Sequence, residues 1–158
     1  MTPILDGIIV ADFTAGVAGP AATLMLADLG ATVIKVEPPA GDPVRGWPGP
    51  RLANGDSAAF LALNRNKRSL VLDLATTKGQ TAARTVATKA DVVVSDSPAA
   101  EMQRLGLDAT ALRTAAPALI FAAIDPALPD GSTGRDALHQ AASGWGSISG
   151  LPEGPAAK

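Results

Sequence analysis

The chain has 158 residues, of which 47% are hydrophobic, 18% charged and 3% aromatic. This is a globular composition with enough apolar side chain for one domain, which excludes a disordered tract and requires a core of Ala, Val, Leu and Ile. A net charge of −2 without a basic run excludes an electrostatic nucleic-acid binder, and the absence of cysteine excludes a disulfide framework, a thiolate zinc site and a cysteine nucleophile.

The first residues carry Asp6 and Asp12 and no basic segment, so they do not read as a signal peptide. No apolar stretch reaches the roughly 18 residues that a membrane span needs. The expectation is a cytoplasmic protein with no membrane partner. Residues 8–11, Ile-Ile-Val-Ala, read as a buried strand. Gly16, Gly19 and Pro20 then form a tight loop before a helix over 21–29 that stops at Gly30. A second strand covers 33–36 and is broken by Pro38 and Pro39. The Gly-, Pro-, Asp- and Arg-rich stretch 40–54 is irregular, and a short helix follows over 57–63. A third strand is placed at 69–74. Thr77 with Gln80 matches a capping box for a helix that runs to about residue 89, although Gly79 in its first turn weakens it. A fourth strand covers 91–94 and a helical piece 101–104. Asp108 caps a helix ending near 115, and a fifth strand covers 119–124. Residues 126–133 read as loop and 136–142 as a last helix.

Strands that are almost continuously apolar and alternate with helices define an α/β fold with an open, mainly parallel sheet flanked by helices. Ligands of such sheets bind beyond the carboxyl ends of the strands. That directs attention to the loops starting at Thr14, Glu37, Ser95 and Asp125. The first of these, Asp12 to Pro20, is not the GxGxxG of dinucleotide enzymes. Its glycines still admit a ligand close to the backbone, and a helix N-terminus follows; a turn that needs Gly only for packing fits equally well. Asn64-Arg65-Asn66-Lys67-Arg68-Ser69, with Arg45, supplies cations suited to phosphates, though alone it reads as a solvated basic turn. His139, the one histidine, lies in a mostly apolar helical pattern and reads as structural. Asp136 reads as an N-cap or as an acid near a site. No ligand cluster for a metal is expected.

Several segments taken together resemble family III CoA-transferases, the CaiB/BaiF group of formyl-CoA transferases, carnitine CoA-transferases and α-methylacyl-CoA racemases. The resemblance rests on Leu5-Asp-Gly-Ile-Ile-Val-Ala-Asp12-Phe13, Ala18-Gly19-Pro20, Leu29-Gly-Ala-Thr-Val-Ile-Lys35-Val-Glu37, Gly41-Asp42-Pro-Val-Arg45, Asn64-Arg-Asn66-Lys67-Arg68-Ser69-Leu-Val-Leu72-Asp73-Leu74 and Ala90 to Val94. It implies a Rossmann-like CoA-binding domain over residues 1–150, incomplete relative to the family's longer chains, with 151–158 as a loop tail. It implies coenzyme A or an acyl-CoA as substrate, with no permanently bound cofactor, and a small carboxylic acid as the second substrate. A homodimer, or a partner chain that supplies the remaining half, is also implied. By resemblance, Thr14, Ala15, Gly16, Val17, Ala18, Gly19, Lys67, Arg68, Leu72 and Asp96 line the CoA side, and Asp136 is a supporting acid.

The resemblance also carries departures. The family's nucleophilic Asp, which attacks the thioester, follows the segment seen here as Ser143-Gly144-Trp-Gly-Ser-Ile-Ser-Gly150, and residues 151–158 hold no Asp. No catalytic residue is therefore assigned, and the chain alone is expected to be inactive. The CoA-contacting loop reads Ser95-Asp96-Ser97-Pro98-Ala99-Ala100, without the family's Asn, aromatic and Arg. The glycine-rich loop that precedes the last helix has become Asp125-Pro126-Ala-Leu-Pro-Asp-Gly131. The racemases' Gly-His-Asp reads Gly134-Arg135-Asp136. Arg104 and Arg135 are the candidates to replace the missing guanidinium. The alternatives to a transferase are a non-catalytic pseudo-domain that binds CoA or a partner chain, and the racemase branch, which works by acid–base chemistry.

Overall fold

β1 (Ile9–Phe13) is the central strand, and four of its five residues are buried. The computed structural model describes residues 2–125 and 136–149, with only the backbone at 136, 137, 146 and 147. Residues 1–124 form one compact unit and 125–158 a second. In the first unit, β1 is followed by α1 (Ala18–Asp28), β2 (Thr32–Glu37), α2 (Ala58–Asn64), β3 (Lys67–Val71), α3 (Thr77–Thr88), β4 (Val92–Ser95), α4 (Ala99–Leu105), α5 (Ala109–Ala115) and β5 (Ile120–Ala123). The second unit contains α6 (Asp136–Ala142) and α7 (Trp145–Ile148). The expected loop at 126–133 and the tail after 149 lie outside the described residues.

The five strands form one sheet in the order β3-β2-β1-β4-β5, and every pairing is parallel. Side chains alternate across it. Ala11, Phe13, Val36 and Val93 pack with Ala83 and Ala87 of α3, Met102 and Leu105 of α4, and Leu112 of α5. On the other face Val10, Val33 and Val94 pack with Ala27 of α1. Small residues bring α3 close to the sheet: Ala83 and Ala87 are fully buried.

Local chemistry sets the helix starts. Asp108 caps α5 as expected, accepting from the amides of Thr110 and Ala111. For α3 the cap is Thr76 and not Thr77: its hydroxyl accepts from Gly79 N at 3.1 Å. Gln80 turns to Leu74 O at 3.0 Å and does not close a capping box. Gly79 is there for space, since a Cβ at that position would lie 1.9 Å from Asp73 O. α1 starts three residues before the expected 21, with Gly19 and Pro20 inside its first turn, where a proline needs no hydrogen-bond partner for its nitrogen. β3 covers 67–71 and not 69–74, because residues 73–76 turn back through Asp73 Oδ1, which accepts from Ala75 N at 3.0 Å.

Candidate functional site

The chain moves outward from β1 through β2 to β3, then returns to the other side of β1 for β4 and β5. Open parallel sheets bind their ligands beyond the carboxyl ends of the strands at such a reversal. A cleft of about 320 Å³ occupies the carboxyl edge of the sheet, bounded by the ends of β1 to β4 and by α4. Its walls are apolar: Phe13, Val36, Leu72, Leu74, Met102 and Leu105. Pro38 and Pro39 lie on one side, Ala15 and Ser97 on another. Its remaining polar lining is acidic, from Glu37, Asp73, Asp96 and Glu101. Such a volume is at the small end of ligand pockets, so it suits one nucleoside-sized portion of a ligand.

The turn after β1 is held from beneath. Asp12 is fully buried and accepts from Thr14 N at 3.0 Å and from Thr14 Oγ1. Thr23 Oγ1 of α1 donates to its other oxygen at 2.6 Å. Gly19 is required here, because a Cβ would sit 2.3 Å from Thr14 Cβ. On the cleft side, Asp96 Oδ2 accepts from Ala15 N at 2.8 Å, which ties the β4 loop to the β1 loop. Burial pushes the Asp96 carboxyl up from its ordinary pKa; the Ala15 amide opposes this, and the charge of Asp12 adds to the rise.

Beneath this turn a row of buried charge crosses the sheet. Lys35 donates to Thr14 O at 2.8 Å and pairs with Asp42 Oδ2 at 2.8 Å, both side chains being almost fully buried. Glu37 takes two bonds from Arg45, each 2.8 Å, one from Ser69 Oγ at 2.6 Å and one from Asp42 N at 3.1 Å. Burial alone would raise its pKa. The bonds from Arg45, Ser69 and Asp42, with the charge of Arg45, bring it down to about 2. Arg45 also binds Asp56 at 2.8 Å and lies 3.7 Å from the centre of the Phe60 ring. Its pKa is raised, first by the Glu37 bonds.

Lys67 departs most from a solvated basic turn. Its side chain is 2% exposed. The ammonium reaches Pro20 O and Thr23 Oγ1 at 2.8 Å, Asn64 Oδ1 at 3.0 Å and Asp12 Oδ2 at 3.1 Å. Burial draws its pKa down against the pull of Asp12. Lys67 therefore binds α1, α2 and β1 together, and its protons are occupied within the protein. Arg68, the next residue on edge strand β3, is exposed and points to the opposite face by strand alternation.

Of the residues singled out in the sequence, Ala15, Leu72 and Asp96 meet in the cleft. Thr14 and Gly19 touch beneath the turn. Gly16 lies in the turn, Val17 is the N-cap of α1 and Ala18 its first residue. Lys67 and Arg68 are not among the cleft's lining residues. Asp136 opens α6 in the second unit, its side chain outside the described atoms, and Arg135 lies outside the described residues. Ser97 lies in the loop after β4 to which the strand ends pointed, whereas Asp73, Glu101, Met102 and Leu105 were assigned no site role. Asp73 was hidden because the third strand was expected to run to 74, which placed it inside the strand and not in the loop that follows. The α4 residues had no such signal, because the helix was read only as 101–104. Among the described residues no group of three or more His, Cys, Asp or Glu is arranged to hold a metal, and no helix is long and apolar enough to cross a membrane.

A parallel sheet of order 3-2-1-4-5 with its cleft at the switch point places the chain in the Rossmann-like, doubly wound α/β class. Within that class it belongs to CoA-transferase family III, whose model matches residues 5–158. It is 39% identical to a succinyl-CoA:mesaconate CoA-transferase of Haloarcula hispanica, over 98% of this chain and 42% of that protein. It is 41% identical to a succinate–glutarate CoA-transferase of Agrobacterium fabrum, over 96% of this chain and 40% of that one. The crystal structure of a CAIB/BAIF family protein from Brucella suis superposes with a TM-score of 0.94 at 33% identity, covering 100% of this chain and 44% of that one. The chain thus spans less than half the length of these relatives.

Proposed function

We propose that this chain is the CoA-binding portion of a protein that moves CoA between carboxylic acids, and that the cleft receives the adenosine end of the CoA thioester. The observation that carries this reading is the meeting of Ala15, Leu72 and Asp96 in an apolar cleft at the switch point. These residues come from three separate loops, and apolar walls with a few fixed polar groups suit a purine between side chains. Family membership supports the CoA thioester as the ligand class. The remainder of the thioester then runs over the turn 14–19, which Asp12 and Asp96 hold in one conformation. Lys67 acts as a positioning residue beneath that turn. Arg68 and Asp136 stay assigned to the CoA side and to an acid role by family resemblance alone. A cytoplasmic setting and a homodimer or partner chain belong to the same proposal.

Names among the relatives pair CoA with succinate, glutarate and mesaconate, so succinyl-CoA is the first donor to assay. Calorimetric titration with CoA, with NAD as control, tests the binding claim: micromolar CoA binding and none for NAD are expected. A folded sample that ignores CoA would overturn it. Exchange of label between free CoA and succinyl-CoA tests the rest. The chain alone is expected to bind without exchange, since the family's nucleophile has no counterpart in residues 151–158; exchange by the chain would contradict that.

A further inference from the structure

We propose that Asn54 is a self-modifying site: the backbone nitrogen of Gly55 attacks its side-chain amide, turns it into a carboxylate without help from an enzyme, and so loosens the turn 51–56.

The chain has three asparagines, at 54, 64 and 66, and only the first is followed by glycine. Glycine has no side chain to bar its nitrogen from the preceding amide carbon. Asn54 and Gly55 are both exposed, and a Cβ added at Gly55 would meet nothing within 4 Å. Asn54 Oδ1 accepts from Asp56 N at 3.2 Å, which folds the side chain back over the Gly55 peptide. The same N–H points at the oxygen on which negative charge develops during the attack. Asn54 Nδ2, the leaving nitrogen, donates to Asp56 Oδ2 at 2.8 Å, and that carboxylate attracts the ammonium as it departs. One bond opposes the attack: Gly55 N donates to Leu52 O at 2.9 Å. An exposed turn frees such a bond by local opening at small cost. The other two asparagines are tied down differently. Asn64 donates to Phe60 O and accepts from Lys67, each at 3.0 Å, and Asn66 donates to Asp28 at 2.8 Å.

The chemistry needs only water. A bond forms between Gly55 N and Asn54 Cγ, the bond from Cγ to Nδ2 breaks, and the Gly55 proton leaves with the nitrogen as ammonia. Water then opens the cyclic imide. Opening at Cγ gives aspartate, and opening at the main-chain carbonyl gives an isoaspartyl link. Either product adds one negative charge beside Asp56, which already pairs with Arg45 at 2.8 Å. The isoaspartyl link also lengthens the backbone. The turn is closed by Leu52 N donating to Asp56 O at 2.8 Å, and by Arg51 donating to Gly55 O at 2.8 Å and Gly46 O at 3.1 Å. A longer backbone cannot keep all of these bonds, so Arg51 is released.

The folded chain is incubated at mildly alkaline pH, and its peptides are weighed over time beside those of the same chain held in urea. The peptide containing residue 54 is expected to exchange NH for O in both samples and to resolve into two products, while 64 and 66 stay intact in the folded chain. A folded chain that keeps Asn54 while the unfolded one converts would overturn the proposal, as would conversion in neither. The modified chain, separated by its extra charge, is then digested briefly with trypsin. Cleavage after Arg51 is expected to be several-fold faster than in fresh chain; equal rates would refute the loosening. In Asn54→Gln the added methylene moves the amide carbon out of reach of a five-membered ring. That variant is expected to stay unmodified and to gain no cleavage on incubation, and a gain equal to that of the native chain would also refute the loosening.

Discussion

Lys67 and Glu37 are buried ions whose partners are all within the protein, and each makes a measurable prediction. Lys67→Ala leaves Asp12, fully buried, without its cation. An uncompensated buried charge costs about 3–5 kcal/mol, so urea denaturation should show a loss on that scale, with CoA binding by the remaining folded fraction weakened because the 14–19 turn loses its support. Glu37 governs acid stability. Its folded pKa of about 2 lies below the ordinary 4.5. Its stabilisation is therefore complete above the ordinary value and is lost as pH falls through the folded one. A shift of this size corresponds to something on the order of 3 kcal/mol. Urea midpoints for the native chain should fall steeply between about pH 5 and pH 2, and Glu37→Gln should be less stable at neutral pH with a flatter acid limb.

α3 lies against the turn that precedes it with no room to spare. Gly79→Ala would place a methyl carbon 1.9 Å from Asp73 O, a backbone atom that cannot swing away. Overpacking of this kind costs about 1–3 kcal/mol, and a thermal melt should register it. Leu112 of α5 is 1% exposed, and Leu112→Ala should cost about 2–5 kcal/mol. The alternation of these elements was legible in the sequence because β1, β2, β4 and β5 are short runs rich in apolar residues and because α2, α3 and α5 start at a Ser, Thr or Asp whose side chain caps them. The limits of β3 were not. A lysine and an arginine at 67 and 68 read as solvated, and only the convergence of Asp12, Thr23, Pro20 and Asn64 on one ammonium shows why Lys67 is strand and core. The cleft was half legible. Leu72, Asp96 and the β1 turn came from the family pattern, but Glu101, Met102 and Leu105 enter it from a helix whose start the sequence does not mark.

At the scale of the molecule, the sheet of the first unit has two edges. β5 forms one, with three of its four residues exposed and Ile120 at 60%. An open apolar edge invites pairing between chains. Ile120→Lys should reduce light scattering at high protein concentration while changing stability by no more than about 0.5 kcal/mol, the usual range for surface substitutions.

The buried row of Asp12, Lys35 and Glu37 has a consequence for how the chain finds this sheet at all. Asp12 stands beside Lys35, and Lys35 beside Ser69, in the paired strands. If β2 slid by one residue, Lys35 and Glu37 would turn to the face where Phe13 and Val93 meet Ala83 and Ala87. Two ions would then enter hydrocarbon without partners. The row acts as a key that admits one alignment of the strands and rejects its neighbours. A redesigned cleft is therefore free to vary Leu72, Asp73 or Ser97, and must leave the key untouched.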